Sequence, residues 1–262
     1  MRNGSLFWGV LLIAIAGLFI LQAMEIIDNV TGFLWPLFLM TLGAWILVGA
    51  FSRSKFGLKE GESFSINLQD AERVRFKLEH GAGQVLVTGG APAGVGVTGT
   101  EATGMEFKSR LEEGTLKVKV EAGPSFLPFI GPSDGTWQFN LTEEVPVELK
   151  IGAGASSMDF DLSHVKLSRF KLETGASSTI LKLPAEGQPF VEVSSGAASV
   201  DILVPQGMAA RIQTEGGAMS VSVDERFPQV GSGLYQSPDF DTAVNRAEIR
   251  LEGGANSVSI HS

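Results

Sequence analysis

Gly154-Ala-Ser-Ser157 and Gly175-Ala-Ser-Ser178 lie 21 residues apart, and the same turn returns at that spacing as Gly196-Ala-Ala-Ser199 and Gly217-Ala-Met-Ser220. A fifth copy, Gly254-Ala-Asn-Ser257, follows after 37 residues, one further period with 16 residues inserted between about 224 and 243. A fixed period of this length marks an array of stacked units that share one core.

Set in register, the copies resolve into columns of alternating character, as strands do. Before the turn, Leu149, Phe170, Val191, Ile212 and Ile249 form one apolar column, and Ile151, Leu172, Val193, Thr214 and Leu251 a second. Between them runs a polar column of Lys150, Lys171, Glu192, Gln213 and Arg250, which must face water. After the turn, Met158, Thr179, Val200, Val221 and Val258 align, as do Phe160, Leu181, Ile202, Val223 and Ile260. Each rung therefore reads as two strands joined by a glycine corner, with a return loop marked by Pro184 and Pro205. Glycine at Gly154, Gly175, Gly196, Gly217 and Gly254 is expected for two reasons: it permits positive φ, and stacked corners leave little room between them. The corner serines suggest a hydrogen-bonded ladder, with a ligand-binding row as the rarer use of such a pattern.

Arg73–Val87 matches the same rung at an offset of 73 residues, placing Phe76, Leu78, Gly81, Val85 and Val87 on the established columns. The β domain thus spans 60–262, interrupted by a hairpin insertion over about 100–142. There, Met105–Arg110, Thr115–Val120 and Trp137–Leu141 alternate and read as strands capping or flanking the stack. The expected fold is all-β: a mainly parallel, two-sheet β-solenoid, right-handed by the crossover rule.

Residues 1–59 read differently. Leu6–Met24 and Phe33–Phe51 hold no ionisable side chain, and each matches the roughly 20 residues a helix needs to cross a bilayer. The turn between them carries Glu25 and Asp28, whereas Arg2 precedes the first span and Arg53, Lys55 and Lys59 follow the second. Basic flanks stay inside, so a two-helix anchor in the cell membrane is expected, with both termini and the solenoid in the cytoplasm. A cleaved leader is the rival for the first span, but Leu21-Gln-Ala23 lacks a small residue at its first position. No charge within either span argues against transport.

Of the 20 Lys and Arg and 29 Asp and Glu, only Arg2, Glu25 and Asp28 precede residue 53, so the remainder is net acidic. No basic cluster suits nucleic acid. Without cysteine there is no disulfide, thiolate zinc site or cysteine nucleophile. His80, His164 and His261 stand apart in the pattern and read as surface residues; Asp159, Asp161 and Asp201 read as a solvated strand face, with a cation site as the rarer alternative. Gly89–Gly96 lacks the lysine and strand-to-helix setting of a phosphate loop. No cofactor and no catalytic residue is expected.

Two insertions carry the candidate contacts. Gly123–Pro132 presents Phe126, Leu127, Phe129 and Ile130, which suit capping of the stack, contact with the membrane, or a partner. The segment 225–242 carries Phe227, Tyr235 and Phe240, suited to folding back over the array or to binding.

The opening Arg2-Asn-Gly-Ser-Leu-Phe-Trp-Gly-Val-Leu-Leu-Ile-Ala-Ile-Ala-Gly17 resembles the first span of LiaF-like membrane proteins. The Gly-Ala-Ser rungs resemble the β-solenoids of the cell-wall-active antibiotic response and toast-rack adhesin-like families. This resemblance implies a bacterial envelope protein without catalytic residues, in some relatives a negative regulator of a sensor kinase. The chain has two spans where some relatives have four. Two functions compete: a membrane-tethered regulatory module with a membrane or cytoplasmic protein partner, and a homo-oligomer assembled through rung edges. The second rests on the chain ending at Ser262 directly after a strand.

Overall fold

The computed structural model describes residues 63–100, 105–122 and 136–262. The proposed spans, and Phe126, Leu127, Phe129 and Ile130, lie outside the described residues. The described chain forms β-strands throughout, with no helix among them, joined into one 13-stranded sheet.

Each rung is a single long strand, bent at the glycine corner, rather than two strands and a turn. The rungs are β2 (Arg73–Thr88), β7 (Val147–Asp161), β8 (Leu167–Lys182), β9 (Phe190–Leu203), β10 (Ala209–Val223) and β13 (Arg246–His261). Backbone pairing continues through the corner, because Ala155 pairs with Ala176 and Ala176 with Ala197. All rungs are parallel and in register on the columns read from the sequence. Phe76 pairs with Leu149, Leu149 with Phe170, and Phe170 with Val191. These four side chains are fully buried, and Phe160 meets Phe170 edge-on at 5.0 Å between ring centroids. One continuous apolar interior between the two arms of the bent strands is what holds the array together.

The stacking order departs from chain order at one place. β13 does not extend the array beyond β10; it lies between β9 and β10, pairing Ile249 with Val191 on one side and with Ile212 on the other. The inserted residues explain how the chain gets there. β11 (Gln229–Gly231) and β12 (Leu234–Gln236) form a small hairpin whose β12 pairs antiparallel with Arg211–Gln213 of β10, covering that half of the strand. Placing β13 inside gives its Ala247, Ile249, Leu251, Val258 and Ile260 apolar neighbours on both sides, and none exceeds 2% exposure. The expectation of an open last strand at Ser262 is thereby overturned.

At the other end, β5 (Thr115–Ala122) and β6 (Thr136–Leu141) pair parallel with the two halves of β2 and make a split rung. Glu121 aligns with Glu79 and Thr136 with Gln84, so the two described halves of this rung lie on either side of the corner position. β4 (Met105–Glu112) extends one arm as a hairpin with β5. β3 (Val95–Thr100) and β1 (Ser63–Asn67) extend the other. Phe64 of β1 stacks on Phe107 of β4 at 4.6 Å, so side chains from the two arms meet at this end. Gly89–Gly94 is a loop between β2 and β3, with positive φ at Gly90 and Gly94.

Of the two reasons expected for the corner glycines, close approach holds and positive φ does not. None of the five repeat glycines has positive φ. Instead, a Cβ on Gly154 would sit 2.5 Å from the Gly81 carbonyl oxygen, one on Gly196 2.9 Å from that of Gly175, and one on Gly254 2.8 Å from that of Gly196. These three corners leave no room for a side chain against the neighbouring carbonyl, whereas at Gly217 the contact would be an ordinary 3.4 Å. Gly81 has no atom within 4 Å of such a Cβ. Gly154→Ala should therefore destabilise by about 1–3 kcal/mol through overpacking, whereas Gly81→Ala should be near neutral or slightly favourable. Denaturant midpoints of the two variants read the contrast directly, and equal losses would contradict a close-approach origin.

Candidate functional site

The outward face of the first arm carries charges in rows. Lys119, Lys77, Lys150 and Lys171 stand on successive strands beside Glu121, Glu79 and Glu173. They pair within and between rungs: Lys77 with Glu79, Lys119 with Glu121, and Lys171 with Glu192 at 2.6 Å. The carboxylates of Glu192 and Glu173 raise the Lys171 pKa. These are exposed or half-buried surface pairs of small energetic weight, and the cations are already matched.

The second arm is similar. Asp159, Asp161 and Asp201 do not gather round a common point. Asp161 accepts hydrogen bonds from the Ser163 hydroxyl at 2.6 Å and from Lys182 at 3.0 Å, which hold its carboxyl below the ordinary range. Asp201 faces His261 at 3.0 Å. No group of three or more metal-ligating side chains occurs among the described residues. His164 is exposed, as expected, but His80 is 6% exposed and packs against Trp137, which corrects its reading as a surface residue. The ring aligned with the small Ala153, and burial was not visible from that position alone.

The second insertion folds onto the array. Phe227 is 2% exposed and joins the core. Phe240 is buried beneath Arg211, whose guanidinium lies 4.3 Å from the ring centroid. Tyr235 is half-buried against the core. Phe227 and Phe240 are thus packed mainly against the array. A cleft of about 350 Å³ is lined by Phe190, Arg211, Phe240 and Arg246. Its arginines are engaged: Arg211 with Gln236 and Asp241, Arg246 with the Ala243 carbonyl.

What remains open is one edge. β12 covers β10 only at Arg211–Gln213, and among the described residues no strand pairs with the outer side of Ala218–Val223. Val221 and Val223 are half-buried, whereas Val200, Val258, Ile202 and Ile260 on the same columns are at most 2% exposed. Gly216–Val223 contains neither a charge nor a proline. Edges are ordinarily protected by charge, proline or shortness. β4 carries Glu106, Lys108, Arg110 and Glu112, β1 has five residues and β11 three. The second half of β10 has none of these protections. The sequence hinted at it, since Met219-Ser-Val-Ser-Val223 alternates without charge, but the wrong rung was assigned to the end of the array.

The fold defines a rung-stacked, all-β solenoid with capping strands at one end and a half-open edge at the other. The chain belongs to the toast-rack family: residues 55–203 match the family described as the N-terminal domain of toast_rack, DUF2154. No curated protein matches it. A crystal structure of a protein from Clostridium sporogenes ATCC 15579, provisionally classed as a cell adhesion protein, shares the fold with a TM-score of 0.64 at 20% identity, covering 77% of this chain and 98% of that one. A provisionally classed adhesin from Bacteroides fragilis NCTC 9343 covers 77% of this chain and 97% of its own, with a TM-score of 0.27 and 6% identity.

Proposed function

We propose that this chain is a membrane-tethered, non-enzymatic interaction module of the bacterial cell envelope, and that it engages a protein partner by strand addition at Ala218–Val223. The observation that carries the reading is the unprotected edge in a domain whose other edges are charged or short. Strand addition draws affinity from backbone hydrogen bonds and selectivity from alternate side chains, here Met219, Val221 and Val223. The apolar segments at 6–24 and 33–51 support tethering, with the solenoid on the cytoplasmic side. Modulation of a sensor kinase that responds to cell-wall antibiotics is the finer form of this proposal, supported by the resemblance to LiaF-like proteins.

The same edge favours a second reading, self-assembly. Paired antiparallel about Val221, the strand sets Met219 opposite a partner's Val223 with all apolar side chains on one face, and no like charges meet.

Photoreactive residues at Ser220 and Ser222, activated in native membranes, separate the two. Adducts to another protein support the module, and adducts of twice the chain mass support assembly. Val221→Lys places an inward-pointing charge on the edge and should abolish either adduct by at least about tenfold. Undiminished crosslinking in that variant, or adducts confined to other surfaces, would contradict the edge as the contact.

A further inference from the structure

Among the described residues, six of the nine buried side-chain polar atoms without a hydrogen-bond partner lie on the inner side of the corner. They are both ring nitrogens of His80, Trp137 Nε1, Ser156 Oγ, Thr174 Oγ1 and Ser195 Oγ. Two inward columns hold five of them, and Trp137 of β6 packs against His80 at one end. One runs His80, Ala153, Thr174, Ser195, Gly253 through β2, β7, β8, β9 and β13; the other runs Gly83, Ser156, Ser177, Ala198, Asn256.

The columns face one another across the bend. A Cβ built on Gly253 would fall 1.8 Å from Asn256 Nδ2, so the Asn256 side chain fills the corner of its own rung. It also reaches back to the next rung, where its Oδ1 accepts from the Ala198 amide at 2.9 Å. At the opposite end the His80 and Trp137 rings, 4.5 Å apart, fill the corner beside β2. Between these two plugs, β7, β8 and β9 supply only alanine, serine and threonine to both columns, and each rung contributes one unpartnered hydroxyl.

We infer that this enclosed corner is a binding site for a single file of water molecules, held by Ser156, Thr174 and Ser195 and ended by His80 with Trp137 on one side and Asn256 on the other. The spacing suits water. Thr174 and Ser195 are neighbours on one column, a rung apart at about 4.8 Å, which two hydrogen bonds of about 2.8 Å span when they meet at a water near its preferred angle, while Ser156 faces them from the opposite column. Buried water commonly satisfies two to four such groups, and these side chains offer both donors and acceptors. His80 suits the end position: burial lowers its pKa, against an opposing pull from the Ala82 backbone, which favours the neutral ring with one donor and one acceptor.

Oxygen-17 relaxation dispersion on the full chain in detergent counts waters that stay longer than tens of nanoseconds. Ser156→Ala with Thr174→Val and Ser195→Ala should remove about three of them. The outward set Ser157→Ala, Ser178→Ala and Ser199→Ala, on exposed positions of the same rungs, should remove none. Equal counts for wild type and the inward variant would overturn the inference. If the inward variant fails to fold, the single Thr174 exchanges decide: Thr174→Ser should retain the wild-type count and Thr174→Val should lose at least about one, and no difference between them would overturn it equally.

Discussion

Truncation after Thr242 is expected to unfold far more than the strand it deletes. β13 stands between β9 and β10, so its loss strips a neighbour from each and separates β10, β11 and β12 from the array. Ile249, Leu251, Val258 and Ile260 are buried to 2% or less, and each contributes roughly 1.5–3 kcal/mol. Their sum is on the order of a whole domain's stability, about 5–15 kcal/mol. Amide exchange should then show loss of protection through 190–223 as well. Had the rungs stacked in chain order, the same deletion would have removed a terminal unit and left the preceding rungs protected, as in other repeat arrays.

Phe170→Ala should cost about 3–5 kcal/mol, the range for a fully buried aromatic in a core that cannot collapse around the cavity. Phe170 is 0% exposed, meets Phe160 edge-on, and lies between Leu149 and Val191 in the stack. Backbone pairing fixes the rung spacing, so neighbours cannot move in to fill the void. Chemical denaturation measures the loss; a change below about 1 kcal/mol would mean that the column is not a shared interior. Lys171→Ala, one residue on and facing outward, should change stability by about 1 kcal/mol or less, because its ion pairs with Glu173 and Glu192 lie at the surface, only partly shielded from solvent.

The columns were legible because side-chain direction in a strand alternates strictly, and five copies printed the same alternation. The in-register partners of Leu149, Ile151, Met158 and Phe160 follow from alignment alone. The order of rungs was not legible. Every copy offers the same apolar faces, so periodicity gives register but not neighbours, and the position of β13 is decided by where the inserted hairpin sends the chain. The corner glycines were legible in part: crowding between stacked corners follows from the repeat, whereas the positive φ also expected does not occur at them. The candidate edge shared that fate: the uncharged alternation of 218–223 was readable, but that it faces outward follows only from the rung order. His80 belongs to the same class, because its burial depends on Trp137, which arrives from 57 residues further along the chain.

Because the natural chain has no cysteine, paired cysteines can report rung neighbours without interference. Ser199 pairs with Ser257, and Ser257 with Ser220, so cysteines at either pair stand one strand apart, about 4.8 Å, within reach of a disulfide. Ser199 and Ser220 stand two strands apart, at about 9.6 Å, beyond that reach. Mild oxidation should crosslink Ser199→Cys with Ser257→Cys, and Ser220→Cys with Ser257→Cys, but leave Ser199→Cys with Ser220→Cys reduced. Ready crosslinking of the 199–220 pair, with none between 257 and 220, would put β13 elsewhere and remove the basis for an open edge on β10.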